Sequence, residues 1–173
     1  GLAYVTPSHQ FPLGVTMPAG RRSQLLHWAA SGPGRFLIED DYDSEFRWSS
    51  RPIPAVQGMD RAGRVVYLGT FSRSIAPAIR AAYLLLPPGL LERYRPTFSP
   101  GASAVSRFEQ ESLRRFLTQG LYGRHLRRTG NLYRKKCALF AGALSAIPGA
   151  SVSGAEAGLH FLLTLPRYSE EEL

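Results

Sequence analysis

Apolar residues recur along this chain in two rhythms, compact runs and helical spacings, and their order is that of a layered α/β fold. A short extended segment, Ala3 to Thr6, leads into a turn-rich stretch, Pro7 to Pro18, that holds three prolines and one glycine. Arg21 to Ala30 places Leu25, Leu26 and Trp28 at helical spacing, and Gly32, Pro33 and Gly34 stop that helix before the run Phe36-Leu37-Ile38. The run predicts a buried strand. Val65 to Leu68 and Ala81 to Leu86 are two further runs, each bounded by Gly or Pro and each of strand length. Helix alternating with buried strands predicts an α/β sheet.

From Ala102 the pattern turns helical. Val105, Phe108, Leu113, Phe116 and Leu117 form one amphipathic stripe, and Leu121 to Leu144 carries another, expected to break at Gly130. Ile147-Pro148-Gly149 ends it. Val152, a Gly-rich turn and a strand from Leu159 to Leu165 follow, and Ser169-Glu170-Glu171-Glu172 reads as the opening of a helix. The abrupt first strand and this last element suggest a piece of a larger domain. There is no internal repeat or low-complexity segment.

Composition adds bounds. With 173 residues, 44% hydrophobic and 11% aromatic, the chain can bury one substantial core, as one domain or two small ones. It carries no secretory-signal pattern and no apolar run near the roughly 20 residues that span a bilayer, so a soluble, cytoplasmic protein is expected. The single cysteine, Cys137, cannot form an internal disulfide and reads as an inert buried thiol. The net charge of +8, from 21 basic and 13 acidic side chains, favours a polyanionic partner or a phosphorylated ligand. Only Lys135 and Lys136 are lysines. The densest basic stretch, Arg124 to Lys136 around Tyr133, reads as a solvated helix face, since no helix-turn-helix, zinc or RNA-binding signature accompanies it.

Candidate chemistry begins at Ile38-Glu39-Asp40-Asp41-Tyr42-Asp43-Ser44-Glu45-Phe46, which continues a hydrophobic run and so lies at the C-terminal end of an expected parallel strand, where open α/β sheets bind ligands. A period of two sends Asp40 and Tyr42 to one face and Glu39, Asp41 and Asp43 to the other. A carboxylate beside a phenol suits a flat heteroaromatic ligand with a ring nitrogen and a neighbouring hydroxyl. Clustered carboxylates would also suit a hard divalent cation, and a solvated acidic loop has the same composition. No metal-ligand set is singled out. His9 and His160 read as positioned or buried structural histidines, and His27 and His125 lie in helical patterns without an evident partner.

A second segment, Tyr67-Leu68-Gly69-Thr70-Phe71-Ser72-Arg73-Ser74-Ile75-Ala76-Pro77-Ala78-Ile79-Arg80-Ala81-Ala82-Tyr83, sets hydroxyls and two arginines between two expected strands. Together with Thr6-Pro7-Ser8-His9-Gln10-Phe11-Pro12-Leu13-Gly14, these segments resemble the aminotransferase-like domain of MocR-type regulators in the GntR superfamily. The similarity continues more weakly through Leu121 to Arg128 and Gly158-Leu159-His160. It implies an α/β, fold-type I architecture of pyridoxal 5′-phosphate (PLP)-dependent transferases. Residues 1–95 would form the second part of the large cofactor-binding domain, and 96–173 the linking helices and the start of the small C-terminal domain.

The resemblance also implies roles. Asp40 would pair with the protonated pyridine nitrogen and Tyr42 would donate to the ring's phenolate oxygen. Thr70 and Ser72 would donate to the phosphate, and Arg80 would grip it with a guanidinium fork. Two positions depart from aminotransferases. Phe11 stands where those enzymes carry a cofactor-contacting asparagine, a feature that fits the regulator subfamily. Arg73 stands where the family has the lysine that forms a Schiff base with the cofactor. A guanidinium offers no amine lone pair, so covalent attachment and proton transfer at that position should be lost. Three accounts of Arg73 follow: loss of function, a noncovalent site, or a domain that only dimerises.

The function implied is a PLP-binding-like, effector-sensing domain of a bacterial transcription regulator, dimeric, with an amino-acid-like or PLP-like effector. DNA would be reached only through a winged-helix domain lying outside this chain. An aminotransferase acting on an amino acid and a cofactor-free dimerisation module are the alternatives.

Overall fold

The computed structural model describes residues 1–48, 53–98 and 103–166. Three strands run parallel side by side, β1 (Leu2–Val5), β2 (Phe36–Asp41) and β3 (Val65–Thr70), with β4 (Ala82–Leu85) paired antiparallel to β3. Parallel neighbours need a crossover, and α1 (Ala19–Ala30) and α2 (Val56–Met59) lie in the two connections. Ala29 of α1, Leu37 of β2, Val56 of α2 and Val65 of β3 are buried together, with Ala3, Leu25, Leu26 and Trp28 packed against them. The expected α/β sheet is therefore present, and the helical stripe of Leu25, Leu26 and Trp28 is the face it buries.

Burial differs from expectation at the third run. β4 is an edge strand with one neighbour, and Tyr83, Leu84 and Leu85 are all exposed. The chain reaches it through a tight return, in which Phe71 N–H donates to the Ala81 carbonyl at 3.0 Å, rather than through a crossover.

The second half is helical. α3 (Pro88–Phe98) has no counterpart in the sequence reading, because Pro88, Gly89 and Pro96 resemble breakers; Pro88 occupies the first helical position, where its missing N–H costs nothing. In α4 (Arg107–Thr118) Glu109 N–H donates to the Ser106 hydroxyl and Ser106 N–H to the Glu109 carboxylate, a complete capping box. α5 (Leu121–Ser145) runs unbroken through Gly130, correcting the expected break: a glycine inside a helix costs only about 1 kcal/mol, which 25 residues of helix absorb. The basic residues from Arg124 to Lys136 on this helix are exposed, and Cys137 is half-buried rather than buried. A short hairpin follows, β5 (Ser151–Ser153) with β6 (Leu162–Thr164), shorter than the strand expected from Leu159. Ser169 to Glu172 lie outside the described residues. Among the described residues no helix is long and apolar enough to cross a membrane.

One side chain fastens the turn-rich stretch after β1 to this frame. Arg22 is fully buried in α1, and its guanidinium donates to the carbonyls of Met17 at 3.0 Å, Pro54 at 2.8 Å and Pro7 at 2.8 Å. Burial pushes its pKa down and the charge of Glu39 opposes that shift. Arg22→Ala should cost roughly 3–5 kcal/mol, because it deletes charged hydrogen bonds and strands buried carbonyls. Chemical denaturation of the intact protein reads this directly, and a loss below about 1 kcal/mol would mean that the stretch is held by other contacts.

Candidate cofactor pocket

The alternation expected along β2 is present in the burial of its residues. Glu39, Asp41 and Asp43 are buried, whereas Asp40 and Tyr42 are half-buried and line one open cleft with Tyr4, Gln10, Phe11 and Met17. Each buried acid has its own partners. Glu39 accepts from the N–H groups of Val56 at 2.9 Å and Gln57 at 2.8 Å, which caps α2; burial pushes its pKa up while these two donors pull it down. Asp41 accepts from the Tyr67 hydroxyl at 2.7 Å and the Ser44 hydroxyl at 2.6 Å. Asp43 lies 2.9 Å from His9 Nδ1.

On the cleft side, the Tyr4 hydroxyl donates to Asp40, and this bond with the carboxylate pushes the phenol up to about 12. The Tyr42 hydroxyl donates to the His9 carbonyl. Burial first, then the charge of Asp43, pushes Tyr42 up to about 12, and the positive charge of Arg73 opposes that shift. Phe11, expected beside the cofactor, is 69% exposed on this wall.

Thr70, Ser72 and Arg80 do not line that cleft; they gather at the end of β3 and on the loop that follows it. Ser72 N–H donates to the Thr70 hydroxyl at 3.1 Å, the Ser72 hydroxyl donates to the Ile79 carbonyl at 2.7 Å, and Arg80 Nη1 reaches Ser72 Oγ at 3.4 Å. Strand register ties the two groups together. Asp40 pairs with Leu68 and Asp41 with Gly69, so Thr70 is the next residue at the same C-terminal edge of the sheet. The carboxylate and phenol thus share a sheet edge with the Thr70 hydroxyl, and the loop that follows carries Ser72 and two exposed arginines, Arg73 and Arg80.

Several residues escaped the sequence reading. Tyr4, in the first strand, meets the Asp40 carboxylate. The Tyr122 hydroxyl of α5 donates to Glu45 at 3.0 Å and accepts from the Ser74 hydroxyl at 3.0 Å, and His125, without a partner by sequence, has Nε2 2.9 Å from the Ser74 carbonyl. Burial pushes Glu45 up, and the Tyr122 bond opposes it. His9 is 1% exposed, and His160 lies over it with ring centroids 4.1 Å apart. No local pattern signals these pairs.

No protein-family model matches the chain. In sequence it is 44% identical over 173 residues to YhdI, an uncharacterized HTH-type transcriptional regulator of Bacillus subtilis, covering 99% of this chain and 37% of that protein. It is 38% identical over 139 residues to the probable rhizopine catabolism regulatory protein MocR of Rhizobium meliloti, covering 80% of this chain and 28% of that protein. In structure it superposes on the kynurenine aminotransferase of Pyrococcus horikoshii, solved with PMP, with a TM-score of 0.84 and 29% identity over 95% of this chain and 41% of that one. The chain therefore spans well under half the length of each. It is similar in sequence to MocR-type regulators of the GntR superfamily and has the α/β fold of the fold-type I, PLP-dependent aminotransferases.

Proposed function

We propose that this chain is the effector-sensing, aminotransferase-like part of a bacterial transcription regulator and that it binds PLP without covalent attachment. The observation that carries this reading is that Asp40 and Tyr42, at the end of β2, share one edge of the sheet with Thr70, the last residue of β3, and with the loop beyond it that holds Ser72 and Arg80. The donor set suits the group. A carboxylate there can pair with a pyridinium nitrogen, while hydroxyls and a guanidinium can hold a phosphate. The cleft of about 760 Å³ beside Asp40 is in the size range of small-molecule sites. Arg80 is exposed, and among the described residues its hydrogen bond to Ser72 is a long one, so its fork remains available to an anion.

When bound to an enzyme of this fold, PLP supplies an electron sink for amino-acid chemistry. Here the residues themselves would bind and orient it. Asp40 would keep the ring nitrogen protonated, and Tyr42 would have to turn from the His9 carbonyl to reach the ring oxygen. Arg73, at the family's lysine position, would add positive charge near the ring and cannot supply a free amine. That argues against the aminotransferase alternative.

We further assign residues 1–95 to the large domain and 96–173 to the linking helices and small domain of a cytoplasmic homodimer. An amino-acid-like or PLP-like effector and a DNA-contacting winged helix outside this chain complete the proposal. Equilibrium dialysis of the intact protein against PLP should show saturable binding, with no keto acid formed when an amino donor is added. Absence of saturable binding would leave the cofactor-free dimerisation module as the reading.

A further inference from the structure

We propose that His9, Asp43 and His160 form a binding site for one divalent transition-metal ion of the kind that zinc represents. The three come from the stretch after β1, the end of β2 and the approach to β6, and one ligating atom from each lies within 4.8 Å of the others. Nitrogen and oxygen ligands held about 2.0–2.2 Å from a common zinc ion stand roughly 3–3.6 Å apart, which small side-chain adjustments reach from here. His9 Nδ1 and Asp43 Oδ2 are already 2.9 Å apart, at 1% and 2% side-chain exposure.

Hydrogen bonding leaves this cluster short of partners. His9 Nε2 faces the Gly154 carbonyl at 3.3 Å, and a carbonyl only accepts, so that nitrogen carries a proton. With Nε2 as the donor, Nδ1 meets the carboxylate oxygen at 2.9 Å either as an imidazolium N–H or, in the neutral ring, through a lone pair that a shared cation would join to it. Asp43 Oδ1 and His160 Nε2 are buried, with no hydrogen-bond partner among the described residues. The His160 ring lies over that of His9, with centroids 4.1 Å apart, so its unpaired Nε2 belongs to the same cluster. His9 thus has one nitrogen on a main-chain carbonyl and the other turned to the cluster, the arrangement that fixes direction in metal-ligating histidines, while His160 brings an unpaired nitrogen.

The backbone closes over the cluster as well. Gly158 has φ +69°, and a Cβ there would lie 1.9 Å from His9 Nδ1 and 2.5 Å from Asp43 Oδ2, so no larger residue fits. The site also bears on the cofactor wall, since the His9 carbonyl receives the Tyr42 hydroxyl. The inference does not depend on PLP binding.

The intact protein, stripped with chelator and dialysed, is titrated with zinc sulfate by calorimetry and with cobalt chloride by visible absorption. One ion per chain and ligand-field bands from Co²⁺ are expected, and both His160→Ala and Asp43→Asn should weaken binding by roughly 100-fold or more with circular dichroism unchanged. Absence of saturable binding, or an affinity in both variants equal to the parent's, overturns the proposal and leaves a buried imidazolium–carboxylate pair. Should Asp43→Asn fail to fold, X-ray absorption of the zinc-loaded parent decides: imidazole scattering supports the site, and its absence refutes it.

Discussion

Replacing Arg73 with lysine should convert a protein that yields no borohydride-reduced cofactor adduct into one that yields it at position 73. The parent side chain is a guanidinium, protonated at any ordinary pH and without a lone pair for the cofactor aldehyde. It should bind PLP reversibly and show no Schiff-base absorption band. The position follows β3, whose last residues run alongside the end of β2, and the side chain is exposed. A lysine amine on a stem of similar reach would share its loop with Arg80, and neighbouring positive charge lowers an amine's pKa toward the range in which it reacts. Borohydride reduction of PLP-treated intact protein, followed by peptide mass mapping, compares parent and variant. An adduct on the parent would overturn the claim that covalent attachment is lost, and none on the lysine variant would favour a degenerate, cofactor-free pocket.

Arg80→Ala should weaken PLP binding by roughly 10- to 150-fold, corresponding to the 1.5–3 kcal/mol of a charge-assisted hydrogen bond. The side chain is exposed and its contact with Ser72 is long, so the substitution removes little from the fold and reports on the ligand. Arg80→Lys keeps the charge but loses the planar fork, and its affinity should fall between the two. Titration of the intact variants with PLP separates these outcomes, and equal affinity for Arg80→Ala and the parent would remove Arg80 from the site.

The facing of Asp40 and Tyr42 is legible in the sequence because a strand alternates its side chains whatever surrounds it, and the apolar run before them marks that strand as covered. The same locality explains the expected positions of β1, β2, β3, α1 and α4: apolar spacing and breakers act within a few residues. Locality also explains the misreadings. Gly130 and Pro88 weaken or start a helix according to what flanks them, so neither is a boundary by itself, and the Ala81 to Leu86 run has the composition of a central strand on an exposed edge.

What tertiary structure alone decides is which distant groups meet. The carbonyls that hold Arg22, the Val56 and Gln57 N–H groups on Glu39, and the bond between Tyr122 and Glu45 across 77 residues depend on how α1, α2 and α5 dock. The junction of His9, Asp43 and His160 needs three segments to converge and a glycine to let the backbone pass. Sequence periodicity encodes a side chain's direction from its own element, whereas the identity of its partner is set by the packing of elements against one another. A cluster of buried acids and histidines can therefore be composed in the sequence and become a site only in the fold.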